Sequence, residues 1–271
     1  MSRARLVVAA LLGVPALFAG CRCQSCSGSR SSGSASASAS ATASSAPRRK
    51  RSTHLTPLSG PAQRRLGDHG ASVEVPVGAT DSRPVLIVLS EDDSQATCRT
   101  WRGVSQGYGF VLCPALGPAK EGGAGPDIPA TEKALRTSLH ALRRRFGNYI
   151  SPAAVVLAGL GPAARLALSL VKQEPAYFAR VALLDGGFRE WSSGVATIFA
   201  RRGGKRALFV CTGPSCATPA GDAALLSRRA GAQARSVVRH DAGPEPAAPR
   251  SAFEWLIGDD ADWKPPKSPP H

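Results

Sequence analysis

The sequence predicts an α/β domain built on a doubly wound, mostly parallel sheet, and three observations carry that prediction. Short apolar, β-branched runs alternate with helical patterns along most of the chain. The runs after the first are mostly continuous, as expected for strands covered on both faces. Gly or Pro marks most junctions between runs and helices. Alternation of this kind belongs to parallel sheets with helices on both sides. The stretch from residue 71 to residue 259 offers about 190 residues, ample for one sizeable core, and it contains no internal repeat.

Taken in order, the strands are expected at 71–77, 85–89, 110–113, 153–158, 181–184, 207–211 and 235–239. Ala130–Phe146 reads as a helix because Leu135, Leu139, Leu142 and Phe146 share one stripe. Further helical patterns cover 163–171, 219–230 and 251–257. The expected organisation is a signal segment at 1–20, a basic tether at 21–66, the domain at 67–259 and a Pro-rich tail at 260–271.

The N-terminus has its own logic. Arg3 and Arg5 precede an apolar run from Leu6 to Ala19, the charged and apolar parts of an export signal. The run is too short to span a bilayer, which takes roughly 20 apolar residues. Phe18-Ala19-Gly20-Cys21 resembles the lipobox of bacterial lipoproteins, with Leu17 one place early. The resemblance implies that Cys21 becomes the acylated first residue, and that Arg22 after it favours the outer membrane of a Gram-negative cell. The plainer reading is a cleaved signal with an incidental cysteine. From Ser25 to Ala46 nearly every residue is Ser, Ala, Gly or Thr. Such a segment has no large apolar groups whose burial offsets the entropy of ordering, so a disordered tether is expected, with a reach of about 25–30 Å. Cys23 and Cys26 lie inside it, without the His or second CxxC that a metal site requires. They are open to pairing, acylation or no role.

The net charge of +15 is unevenly placed. No acidic residue precedes Asp68, and the segment from Cys21 to Leu66 carries eight Lys/Arg. From Gly67 onward 24 Lys/Arg face 19 Asp/Glu, a difference of only five. The basicity is therefore mainly a property of the tether. Arg48, Arg49, Lys50 and Arg51 suit anionic headgroups, at about 1 kcal/mol per charge near the surface, or equally a solvated linker. A nucleic-acid partner is not expected, since the basic run lacks interleaved aromatics. No cofactor or metal is expected either.

Three segments of the domain carry a resemblance. Pro84-Val85-Leu86-Ile87-Val88-Leu89 looks like a strand leading to an oxyanion loop. Val155-Val156-Leu157-Ala158-Gly159-Leu160-Gly161-Pro162-Ala163-Ala164-Arg165 looks like a strand, nucleophile elbow and helix. Val237-Val238-Arg239-His240-Asp241-Ala242-Gly243-Pro244 looks like the last strand and the loop of a catalytic histidine. Together they resemble the α/β-hydrolase superfamily, in particular secreted esterases of the polyhydroxybutyrate-depolymerase and dienelactone-hydrolase type. The fold so implied is α/β-hydrolase-like.

Each segment departs from the family where chemistry occurs. The elbow motif Gly-x-Ser-x-Gly exposes a serine hydroxyl on a strained turn, whereas Gly161 stands at the nucleophile position here. Glycine keeps the backbone but supplies no attacking atom. The family's His-Gly becomes Ser90-Glu91, followed by Asp92-Asp93, and carboxylates oppose a developing oxyanion. The expected Gly-His pair becomes Gly243-Pro244. His240 and Asp185 are the residual candidates, a pair able to activate water as a general base. The simpler reading makes His240 a strand-end surface residue and Asp185 a turn residue before two glycines. The sequence thus points to a non-catalytic binding or structural module at the cell envelope, with an esterase using relocated residues as the alternative.

Four cysteines lie beyond the tether, and an even count in an oxidising compartment suggests disulfides. In the resembled fold Cys98 opens the helix after the oxyanion strand and Cys113 ends the next strand, which suggests one pair. Cys211 and Cys216 would staple the loop where many such hydrolases carry the triad acid. A reactive catalytic cysteine is the alternative.

Overall fold

A computed structural model describes residues 55–67, 70–116, 127–239, 250–258 and 260–263. The expected signal segment, Cys21, Cys23, Cys26, Arg48, Arg49, Lys50, Arg51 and His240 lie outside the described residues, as does Gly243-Pro244. The described residues belong to one compact unit within residues 51–271, which holds the sheet and its helices.

The elements of this unit run β1 (Gln63–Leu66), β2 (Ala71–Glu74), β3 (Arg83–Leu89), α1 (Ser94–Val104), β4 (Phe110–Cys113), α2 (Ile128–Phe146), β5 (Ile150–Leu160), α3 (Ala164–Gln173), β6 (Arg180–Leu184), α4 (Ser193–Arg201), β7 (Arg206–Thr212), α5 (Ala217–Arg229), β8 (Gln233–Arg239) and α6 (Arg250–Ile257). The eight strands form one sheet in the order β1-β2-β4-β3-β5-β6-β7-β8. β1 and β2 pair antiparallel, as do β2 and β4. Every other pairing, from β4 through β3 to β8, is parallel.

Side-chain alternation along β3 shows why both faces need cover. Val85, Ile87 and Leu89 enter a core with Leu135, Leu142 and Phe146 of α2, Leu166 and Leu170 of α3, Phe199 of α4 and Ala224 of α5. Leu86 and Val88 enter a second core with Cys98, Trp101 and Val104 of α1 and Phe253 and Leu256 of α6. Both sets are buried, so the strand reads as one uninterrupted apolar run. The doubly wound sheet is therefore as the sequence predicts.

The domain is larger than its expected span at both ends. Residues 55–66 belong to it, against the expectation of a tether up to 66. Leu58 and Leu66 are buried in the first core, β1 pairs along β2, and Tyr149 Oη donates to the Thr56 carbonyl at 2.7 Å. A short polar edge strand gives little periodic signal, because only Leu66 faces the core. At the other end the fold runs past residue 259. Asp260 pairs with Arg180 at 2.7 Å, Ser151 Oγ donates to Asp262 at 2.8 Å, and Trp263 is buried.

Two disulfides join the elements. Cys98–Cys113 ties α1 to β4, and Cys211–Cys216 ties the end of β7 to the turn before α5. Both expected pairings are present, which removes all four thiols as nucleophiles. No described helix is long and apolar enough to cross a membrane.

Candidate active site

The elbow sits at the C-terminal end of β5, where the chain turns through a single 3₁₀ turn, Gly161–Ala163, into α3. Three glycines make the turn possible. A Cβ on Gly159 would lie 2.7 Å from Ala167 Cβ and 2.8 Å from Ala164 Cα, so only glycine lets β5 and α3 cross this closely. Gly161 itself has φ +53°, the left-handed conformation that costs an L-residue about 1–2 kcal/mol. A Cβ there would meet nothing within 4 Å. Across the turn, a Cβ on Gly186 would collide with the Gly161 carbonyl oxygen, so the loop after β6 closes directly onto the elbow. The backbone geometry of a nucleophile elbow is present, with space where a side chain would stand and no side chain in it.

The next residue deepens this. In the elbow motif the backbone N–H after the nucleophile is half of the oxyanion hole. That residue is Pro162, which has no N–H to give. Pro162 is plain in the sequence, and with Gly161 at the nucleophile position its identity alone gives the missing amide.

The loop after β3, where the second oxyanion donor would arise, is committed to its own structure. Ser90 Oγ donates to Asp92 Oδ2 at 2.9 Å, and Asp92 N donates back to Ser90 Oγ at 3.2 Å. Asp93 caps α1, accepting from Gln95 N at 2.6 Å and Ala96 N at 3.2 Å, which satisfies donors that a helix start otherwise leaves free. Two of the three successive carboxylates are thus explained by local structure. Glu91 faces the cleft.

That cleft has a volume of about 620 Å³ and is walled by Gly161, Pro162, Glu91, Asp185, Phe188 and Ser215, among others. Arg165 of α3 and Glu190 of the loop after β6 pair across it at 3.0 Å, both well exposed, so the contact is worth little in water. Asp185, the candidate acid, also has a left-handed backbone, φ +52°. Its Oδ1 accepts from Thr212 N at 2.5 Å and its Oδ2 from Thr212 Oγ1 at 3.0 Å. The carboxylate therefore clamps the end of β6 to the end of β7. His240, its proposed partner, is not among the described residues. The one described histidine, His140, is exposed on α2 and does not line the cleft. Ser215 is the cleft's one hydroxyl among the described lining residues, with no imidazole beside it in that lining.

Asp185, Cys211 and Cys216 bring one oxygen and two sulfurs within 4.8 Å of one another, a spacing fit for a metal ion. The sulfurs are bonded to each other, however, and a disulfide lacks the thiolate charge that metal binding needs.

No protein-family model matches the chain, and no curated protein matches it. Solved structures do match in fold. A fluorophosphonate-binding serine hydrolase of Staphylococcus aureus, FphF, is 12% identical with a TM-score of 0.53, over 75% of this chain and 97% of that one. An S-formylglutathione hydrolase of the same organism, FrmB, is also 12% identical with a TM-score of 0.53, over 75% and 99%. A thermostable esterase is 14% identical with a TM-score of 0.49, over 72% of this chain; the match spans 61% of that esterase's length. Together with the strand order, the first two likenesses establish the fold as that of α/β hydrolases.

Proposed function

We propose that this chain is an envelope lipoprotein, anchored through an acylated Cys21, whose α/β-hydrolase domain serves as a binding or structural module and not as a catalyst. The observation that carries the reading is Gly161-Pro162 within an intact elbow. One residue removes the attacking atom, and the next removes the amide that would stabilise the oxyanion. Each missing oxyanion donor forgoes roughly 10²–10³-fold in rate, so any residual turnover sits near background. Asp185, the residual candidate acid, has a structural task that accounts for it, since both its oxygens accept from Thr212 at the end of β7.

The competing reading is an ester hydrolase with relocated residues. The cleft of about 620 Å³, with Ser215 in its wall, favours it, as does the fold shared with the hydrolases above. One experiment separates the two. The chain is exposed to a fluorophosphonate probe and to short-chain nitrophenyl esters. No label and background hydrolysis are expected. Robust hydrolysis that disappears in Ser215→Ala or His240→Ala overturns the non-catalytic reading. For the anchor, metabolic labelling with an alkynyl fatty acid should mark the wild type and not Cys21→Ser. A labelled Cys21→Ser chain refutes acylation at that residue.

A further inference from the structure

In a parallel sheet each connecting helix runs back against its strands, so α2, α3, α4 and α5 all finish at the end where β5, β6, β7 and β8 begin. Those finishes are basic. The last turn of α2 contains Arg143-Arg144-Arg145, and those of α3, α4 and α5 carry Lys172, Arg201 and Arg228-Arg229. One cation per helix end suits the macrodipole, but α2 has three and α5 two. Arg144, Arg145, Lys172, Arg201, Arg202 and Arg229 are exposed. None of them pairs with a carboxylate among the described residues. Acids at the same end are engaged elsewhere. Asp81 pairs with Arg83, Asp260 with Arg180 and Glu174 with Arg136, each at 2.7 Å. The elbow end has the opposite character, with Glu91-Asp92-Asp93 after β3 and Asp185 and Glu190 at the cleft.

The chain enters the domain at the basic end. Leu55 N donates to Thr80 O and Leu58 N to Ala79 O, in the turn before β3. Tyr149 Oη, between α2 and β5, donates to the Thr56 carbonyl. In the sequence Arg48, Arg49, Lys50 and Arg51 come shortly before this entry. The root of the expected tether and the basic helix ends therefore share one end of the domain.

We propose that this end docks on the anionic headgroups of a phospholipid bilayer, which leaves the elbow cleft open on the side away from lipid. Basic residues near such a surface add their attractions, which fade within about a Debye length. The membrane is taken from the envelope reading above, but docking of this face needs no acyl group, so the two readings fail separately.

The test uses the chain from residue 21 with Cys21→Ser, which keeps every described residue and has no acyl group. It is sedimented at physiological salt with vesicles of phosphatidylcholine alone, and of phosphatidylcholine and phosphatidylglycerol in equal parts. Binding to the anionic vesicles only, released by molar salt, is expected. Arg144→Gln/Arg202→Gln/Arg229→Gln removes three exposed charges from the docking end and should raise the lipid needed for half-binding at least about tenfold. Lys133→Gln/Arg165→Gln/Arg189→Gln removes three exposed charges nearer the elbow. It should raise that quantity less than about twofold, because those charges lie beyond the roughly 8 Å reach of the headgroup field. Hydrogen exchange on the otherwise unaltered chain asks the same question without these variants. Anionic vesicles should slow exchange in the turns at 147–149 and 202–204 and leave the loop at 186–190 unchanged. No preference for anionic vesicles overturns the proposal, as do equal losses in the two triple variants or binding that neither alters. Slowed exchange at the elbow loop and not at the turns also overturns it. Oligomers that form without lipid and disperse in the first variant would assign this end to a second copy of the chain instead.

Discussion

At Gly161 and Gly186 the same residue type answers to two different constraints. Gly161 needs its left-handed φ of +53° but has open space around it, while Gly186 is held by the Gly161 carbonyl, which stands where its Cβ would be. Alanine at 161 should therefore cost only the conformational penalty, about 1 kcal/mol. Alanine at 186 must push backbone against backbone and should cost about 3 kcal/mol. Urea denaturation of the two variants checks the order; equal losses would mean that the loop after β6 does not press on the elbow as described. Gly161→Ser should resemble Gly161→Ala in stability and remain unlabelled by a serine-directed probe, because Pro162 still offers no amide to the oxyanion. Both Gly161 and Pro162 are legible in the sequence as residues at the elbow. The role of Asp185 is not: its partner, Thr212, stands 27 residues away, and nothing in a local pattern predicts which turn residue will reach which strand end.

Among the elements, those with a continuous apolar signal are the ones the sequence delimits closely. β4 coincides with its expected bounds, and α2 begins only two residues early, where Asp127 caps it and accepts from Ala130 N. β1 and α4 give no comparable signal. β1 is Gln-Arg-Arg-Leu, with one side chain in the core, and its existence depends on the antiparallel edge of β2. α4 starts on a Ser192 cap and runs for only nine residues, too short for Val195, Ile198 and Phe199 to set a repeating stripe. The disulfides belong to this scale because they fasten one element to another. Cys98 and Cys113 close a loop with a sequence separation of 15, and Cys211 and Cys216 one of 5. Loop-closure entropy gives about 3 kcal/mol for the longer and about 2 kcal/mol for the shorter. The Cys98→Ala/Cys113→Ala double variant should thus unfold at lower denaturant than the Cys211→Ala/Cys216→Ala one, in matched equilibrium melts under non-reducing conditions. The reverse order would show that the short clasp, next to the Asp185–Thr212 clamp, holds more than its own loop.

At the scale of the whole domain, the sequence places the start of the fold at Gly67, and the structure places it earlier. The segment before Gly67 is wired into the domain by main-chain bonds: Leu55 N to Thr80 O at 2.8 Å, Leu58 N to Ala79 O at 3.0 Å, and Gly78 N to Leu58 O at 2.8 Å. Leu58 and Leu66 are 9% and 3% exposed, and burial of a leucine contributes about 1.5–3 kcal/mol. β1 also covers the outer edge of β2, which would otherwise present unpaired backbone groups to other chains. A chain beginning at Gly67 should therefore lose about 3 kcal/mol or more against one beginning at Arg51. That is a large part of the roughly 5–15 kcal/mol that an ordinary domain has. It should also self-associate through the bared edge. The bonds that tie this segment to the domain begin at Leu55, so a chain beginning at Arg51 should keep the denaturant midpoint of the full-length chain. The comparison of three chains, full length, from Arg51 and from Gly67, by urea melts and size-exclusion chromatography, decides the matter. If the chain from Gly67 unfolds at the same midpoint and stays monomeric, β1 is an ornament on the edge, and the fold begins where the sequence alone suggests.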